Sequence, residues 1–249
     1  MLRPAAAFPV MALMVLATAA CTSDNSGADP TSTKGAGQGA EQATCRELLG
    51  AAGVKWLESR TGGPGKVRME SRHDLEKART MFQGQVGNWE PGRKGIPSYA
   101  ESDICRARAD AGGPGELSLE YRPSILRFDA PITGSTDSER TATPVNSDVR
   151  LLHRVDGNEV QYIVFIKCKV PGTPAQQENA VPIEGRMTDT LTGDTGIRTH
   201  FAHLLHSAQV VTKTFNCQNK PVVPAEPHRR ERARAQNALD GIPSDRIHS

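Results

Sequence analysis

The sequence predicts an α+β fold: an antiparallel sheet with helices packed on one face, braced by disulfides. Three observations carry that expectation. Apolar residues recur with period two over 105–121 and 149–170, the mark of strands with one buried face. They recur with period 3.6 over 45–56 and 197–211, the mark of amphipathic helices. The strand-like runs lie together between the two helical ones, which favours antiparallel neighbours with helices on a shared face.

The elements follow in order. Thr44-Cys45-Arg46-Glu47 fits a capping box, with Thr44 as N-cap and Glu47 reaching back. Cys45, Leu48, Leu49, Ala52 and Trp56 then share a helical face, and Gly62-Gly63-Pro64 ends the run. Gly50 and Gly53 each cost this helix up to about 1 kcal/mol. A second helix is predicted over 74–83, with Leu75, Ala78 and Phe82 inward, followed by a Gly/Pro-rich loop over 84–102. Cys105, Ala107 and Ala109 alternate with Arg106, Arg108 and Asp110. After Gly112-Gly113-Pro114-Gly115, Leu117, Leu119 and Tyr121 alternate with Ser118, Glu120 and Arg122, giving a hairpin. Residues 125–132 suggest a further strand, and 133–147 an exposed loop. A second hairpin spans 149–170, turning at Asp156-Gly157, with Val160, Tyr162, Val164, Ile166, Cys168 and Val170 on one face. After a Pro-rich loop, a helix over 197–212 carries the stripe Ile197, Phe201, Leu204, Leu205, Ala208 and Val211. Cys217 lies just past its end.

Of the 249 residues, aromatic ones make up 4%, while Gly and Pro number 23 and 17, so many turns and a modest core are expected. A single domain is predicted over 45–224, with a disordered or weakly helical tail over 225–249. Its halves, 45–132 and 149–217, have mirrored element order, as an ancient duplication would leave, without a residue-level repeat. The net charge of +2 gives no global argument for nucleic acid. Cys45, Cys105, Cys168 and Cys217 are an even set, too widely spaced for a metal site, and two disulfides are expected. Of three possible pairings, Cys45–Cys105 and Cys168–Cys217 each tie a helix to the sheet it covers. The chain-entropy model assigns each at most about 4 kcal/mol.

The N-terminal segment predicts a secretory leader over 1–20. Arg3 precedes an apolar stretch from Ala5 to Ala17. That stretch falls short of the roughly 20 residues a spanning helix needs, and Pro9 interrupts it. Leu16-Ala17-Thr18-Ala19-Ala20-Cys21 resembles the lipobox of bacterial lipoproteins, with Thr18 where that family most often has Leu. The resemblance implies that Cys21 is acylated on sulfur, that the leader is removed, and that Cys21 becomes a lipidated N-terminus carrying an N-acyl chain such as palmitate. At about 0.8 kcal/mol per buried methylene, a diacylglyceryl group on the sulfur together with the N-acyl chain would anchor stably. The alternative is ordinary signal-peptidase cleavage at an A-x-A-like site, leaving a secreted protein. Residues 22–44 lack Leu, Ile, Val and aromatics and read as a flexible tether. Arg outnumbers Lys, and with the lipobox this resembles lipoproteins of actinobacteria.

Candidate chemistry is sparse. His200, His203 and His206 fall on successive turns of one helix, but the outer two are about 120° apart. No HExxH pattern accompanies them, and the reading is histidines on a solvated flank. Ser71, His73 and Asp74 are triad residue types, yet triads converge in space and no GxSxG elbow is present. Asp74 reads better as a helix N-cap. Asp189 and Asp194 lack the spacing of a calcium loop, and Asp194 reads as the N-cap of the following helix. His228–Arg234 is basic enough to touch anionic lipid or wall polymer, but Glu226, Asp240 and Asp245 dilute the patch and a solvated tail is the better account. Arg106 and Arg108 are expected to face outward. No catalytic, cofactor-binding or metal-ligating residue is assigned. The expected function is a lipid-anchored protein on the extracytoplasmic face of the cell membrane, a non-enzymatic binding or interaction module. Its partners would be the membrane, through the anchor, and a cell-envelope protein or polymer; nucleic acid is not expected. The alternative is an exported hydrolase whose site assembles from distant residues.

Overall fold

The computed structural model describes residues 34–92, 97–131, 138–156 and 159–227. Cys21 with the leader, residues 22–33, Ile132, Gly157 and the tail from His228 lie outside these. Seven strands form one antiparallel sheet: β1 Val67–Glu70, β2 Ser102–Ala109, β3 Glu116–Pro123, β4 Ser138–Pro144, β5 Val149–Asp156, β6 Glu159–Ile166 and β7 Ile183–Asp189. Their order is β1-β2-β3-β7-β6-β5-β4. The two halves of the chain therefore meet mid-sheet, where β3 pairs β7 from Leu117↔Asp189 to Pro123↔Ile183. Four helices complete the fold: α1 Lys34–Arg60, α2 Leu75–Gly87, α3 Gln177–Ala180 and α4 Ile197–Thr214.

The period-two pattern decides which face the helices cover. Leu117, Leu119 and Tyr121 of β3, Ile183 and Met187 of β7, and Tyr162, Val164 and Ile166 of β6 point to one side. There they join Leu48, Leu49 and Leu57 of α1, Ala78, Phe82 and Val86 of α2, and Leu204, Leu205, Ala208 and Val211 of α4 in one buried core. With so few aromatics, backbone proximity supplies much of the packing. Gly185 in β7 lies under the Tyr121 ring, and a Cβ there would fall within 3.0 Å of both Tyr121 and Val164. The Tyr121 hydroxyl reaches across to Ser207 of α4, so its polar tip is satisfied inside the core. Burial pushes the phenol pKa well up.

Cys45 of α1 is bonded to Cys105 of β2, and Cys168 to Cys217, with Cα separations of 4.8 and 5.0 Å. Each pair joins a helix or its end to a strand or its end within one half of the chain. On the uncovered face a smaller apolar cluster forms from Leu152, Ile163 and Phe165, with Phe128 and Ala142 packed against it. Elsewhere that face carries Arg106, Arg108, Glu116, Glu120, Arg122, Glu184 and Arg186, along with the hydrogen-bonded Ser118 and Thr188.

Several sequence expectations need correction. The first helix begins at Lys34, not at a Thr44 cap, so residues 34–44 are helix and Thr44 is buried within it. At Gly50 the backbone leaves the helical region (φ 63°, ψ 174°), which rotates the following turns. Gly53, Val54 and Leu57 are buried as a result, and Ala52 is exposed. Residues 125–131 are a turn, not a strand, with Ile125 and Leu126 exposed. Conversely, Ser138–Pro144 of the expected loop is the edge strand β4, paired along all of β5. β1 and β7 were not expected at all, and Ile197 is 44% exposed instead of buried. Asp74 does cap α2, accepting the Lys77 N–H at 2.7 Å.

The sheet centre gives a test. Gly185→Ala is expected to destabilise by about 1–3 kcal/mol through overpacking against Tyr121. Gly84→Ala, at a position in α2 with nothing within 4 Å, is expected to be neutral or stabilising by up to about 1 kcal/mol. Urea denaturation of both variants checks the contrast.

Candidate functional site

Two places bring together chemistry-bearing groups: a buried acid–base centre at the start of α4, and an open cleft at the end of α2. The first is built where β7 ends. Asp189 turns its carboxylate back on the following loop and accepts the N–H groups of Leu191 and Thr192 at 2.9 and 3.0 Å. The Thr192 hydroxyl donates to the same carboxylate. The other oxygen faces His200 Nε2 at 2.9 Å, while His200 Nδ1 lies 2.9 Å from the Gly196 carbonyl. Both side chains are about 1% exposed. Burial alone would push the Asp189 carboxyl up, but the hydrogen bonds from His200, Thr192 and the loop backbone outweigh it and its pKa is lowered. Both ring nitrogens of His200 therefore lie within hydrogen-bond distance of an oxygen.

Aromatic rings enclose the pair. His200 stacks on Tyr162 of β6 at 4.2 Å and 6°, and meets the Trp56 edge at 5.2 Å. Trp56 stacks in turn on His203 at 4.6 Å and donates its indole N–H to Asp194, which also holds Arg60. The Trp56 hydrogen bond, then the Gly196 N–H, keep the Asp194 carboxyl low. His206 lies against Gly50, where a Cβ would sit 2.5 Å from Nε2. The three histidines therefore do not lie on a solvated flank. They form the seam between α4 and α1, because α4 is packed on two sides, by the sheet and by α1. Nor is Asp194 the N-cap: that position is Gly196, and Asp194 instead accepts the Gly196 N–H at 2.8 Å.

This centre is buried. The Thr192 hydroxyl is spent on the carboxylate, and among the described residues no hydroxyl or thiol is hydrogen-bonded to His200. Ser71 donates to the His73 carbonyl at 2.6 Å, while Asp74 caps α2, so the Ser71/His73/Asp74 set does not assemble as a triad. Among the described residues, no group of three or more His, Cys, Asp or Glu is placed to hold a metal ion.

The charged sheet face is internally paired. Arg106 binds Asp103 at 2.7 Å and Glu116 at 3.3 Å, and Arg108 binds Glu116 and Glu70. Farther along, Arg122 and Arg186 share Glu101 and Glu184, with Glu120 close by. Burial, then the neighbouring Glu101, push the Glu120 carboxyl up. Arg106 and Arg108 do face outward, but each already has carboxylate partners.

The open cleft lies off the strands, between the end of α2, the segment around Ser98 and Tyr99, and the turn after β3. Its volume is about 780 Å³. Trp89, Tyr99 and the exposed Ile125 supply its apolar surface, and Asn88, Glu90, Ser98 and Arg127 its polar one. At its base Ser124 is buried, donating to Glu184 at 2.9 Å. Sequence reading did not find this cleft, since its residues come from four separated segments with no motif among them.

No protein-family model matches the chain, and neither curated proteins nor solved structures give a match.

The acid–base centre should carry stability. Asp189→Asn replaces a buried carboxylate that is hydrogen-bonded to Leu191, Thr192 and His200, and is expected to cost about 1–3 kcal/mol in denaturant titration. Burial, then repulsion from His200 and His206, lower the His203 pKa. The unfolded chain therefore binds this proton first as pH falls, and stability should decline on acidification through the unfolded value near 6.5. In His203→Gln that part of the stability–pH curve should flatten.

Proposed function

We propose that the protein is a lipid-anchored domain of the cell envelope, held through Cys21, that acts as a non-enzymatic binding module. The contrast between its two candidate sites carries the binding reading. The pair Asp189–His200 is closed to solvent and, among the described residues, has no hydroxyl or thiol hydrogen-bonded to the imidazole, whereas the described lining of the open cleft presents aromatic and hydrogen-bonding groups without a paired acid and base. Clefts of about 300–1,000 Å³ with a few polar groups are where ligands bind. The anchoring reading rests on the Leu16–Cys21 sequence. Among the described residues, no helix is long and apolar enough to cross a membrane, so attachment of this domain would fall to the N-terminal segment.

Metabolic labelling with an alkyne fatty acid tests the anchor. The wild-type protein should take up label and sediment with membranes, and Cys21→Ala should remain unlabelled. Label retained in Cys21→Ala, or absent from the wild type, would end the lipoprotein reading.

A further inference from the structure

We propose that the seam between α1 and α4 is an acid-sensitive hinge, in which residues 51–60 swing away from α4 about Gly50 when His203 takes up a proton. This device is independent of the anchoring and binding readings.

The pivot lies in the backbone. Gly50, at φ 63° and ψ 174°, divides α1 into two helical halves. The half before it is pinned, because Cys45 is bonded to Cys105 of β2 and Leu48 and Leu49 are buried in the core. The half after it carries no cysteine. It is held by burial of Val54 and Leu57, by the Trp56 indole N–H on Asp194, and by the Arg60–Asp194 pair. Residues 51–60 can therefore move as a unit while the first half stays fixed.

The trigger is the histidine row of α4. Two of its rings meet glycines on α1. A Cβ on Gly53 would sit 3.3 Å from His203 Nδ1, and one on Gly50 would sit 2.5 Å from His206 Nε2. The His203 ring is thus stacked on the Trp56 indole on one side and pressed on the Gly53 backbone on another. Among the described residues, no group hydrogen-bonds to it. A proton on this ring places a charge where indole and glycine stand in place of water. Burial, then repulsion from His200 and His206, oppose that charge and lower the His203 pKa. Turning 51–60 outward returns water to the ring, so protonation and the open state favour one another.

The other groups facing the ring do not cancel this. Asp194, from the loop before α4, attracts the charged ring. It is already engaged by Trp56 and by Arg60, the facing cation of α1. Asp194 and, behind His200, Asp189 both have lowered pKa values and stay ionised in mild acid. Tyr162 of β6, stacked on His200, has a raised pKa and stays neutral.

Peptide-resolved hydrogen–deuterium exchange of the full chain tests the hinge at about pH 7.5 and about pH 5, with rates scaled for intrinsic exchange. Linkage to a histidine whose unfolded pKa is about 6.5 sets the size: opening of 51–60 should rise about tenfold at the lower pH. Peptides from 41–49, from α4 and from the β3–β7 pair should keep their protection. His203→Gln should remove the rise, whereas His73→Gln, at a histidine outside the seam, should leave it in place. Unchanged exchange of 51–60 in acid, as an imidazolium still stacked on Trp56 would give, overturns the proposal. So does a rise spread evenly through α4 and the strands, a rise that persists in His203→Gln, or one that disappears in His73→Gln. Should His203→Gln fail to fold by circular dichroism, the wild-type profile and His73→Gln decide the matter.

Discussion

The buried hydrogen bond between Asp189 and His200 fixes where the last strand hands over to the last helix. Asp189 closes the loop after β7 by taking two of its N–H groups, and in the same step receives the imidazole that begins α4. Burial of these polar side chains is tolerable because each is hydrogen-bonded and aromatic rings pack around them. From this point the rest of the helical layer follows. α4 enters at a set angle and lies over β6 and β7, and its exposed flank becomes the surface that α1 must match. Trp56 does so by inserting between His200 and His203. Gly50 does so by yielding its backbone to His206.

Regions with a strong period were legible in the sequence. The α4 stripe, the α2 face and its Asp74 cap, and the hairpins around 105–122 and 149–166 could be read from spacing because burial on one face imposes it. What escaped were elements whose reason for being lies elsewhere in the chain. β7 sits mid-sheet, yet its sequence offers only Ile183 and Met187, interrupted by Gly185, whose use is to admit the Tyr121 ring from β3. β4 is polar because it is an edge, and it is a strand because β5 pairs with it. The buried histidines were misplaced for a related reason: helical geometry gives the angle between side chains, but not how many neighbours the helix has. The cleft depends wholly on tertiary assembly.

The two surfaces of the sheet divide structural from interactive work. The helical side is filled. The other side satisfies its own charges, with Arg106, Arg108, Arg122 and Arg186 each shared among carboxylates on neighbouring strands. Half-exposed pairs of this kind contribute little individually to stability. Their effect is to leave that face without net appetite for a charged partner. Unspent hydrogen-bonding capacity next to an exposed ring is found instead off the strands, at the end of α2, where loops from both halves of the chain meet.

The disulfides do not interleave: Cys45–Cys105 closes completely before Cys168–Cys217 begins. The chain is thus closed into two covalent loops that follow one another without threading, one in each half. Each bridge holds its own half together, and neither spans the mid-sheet junction, where β3 meets β7. That junction is held by backbone pairing and side-chain packing, so reduction would loosen each half from within while leaving the contact between them without a lost covalent bond.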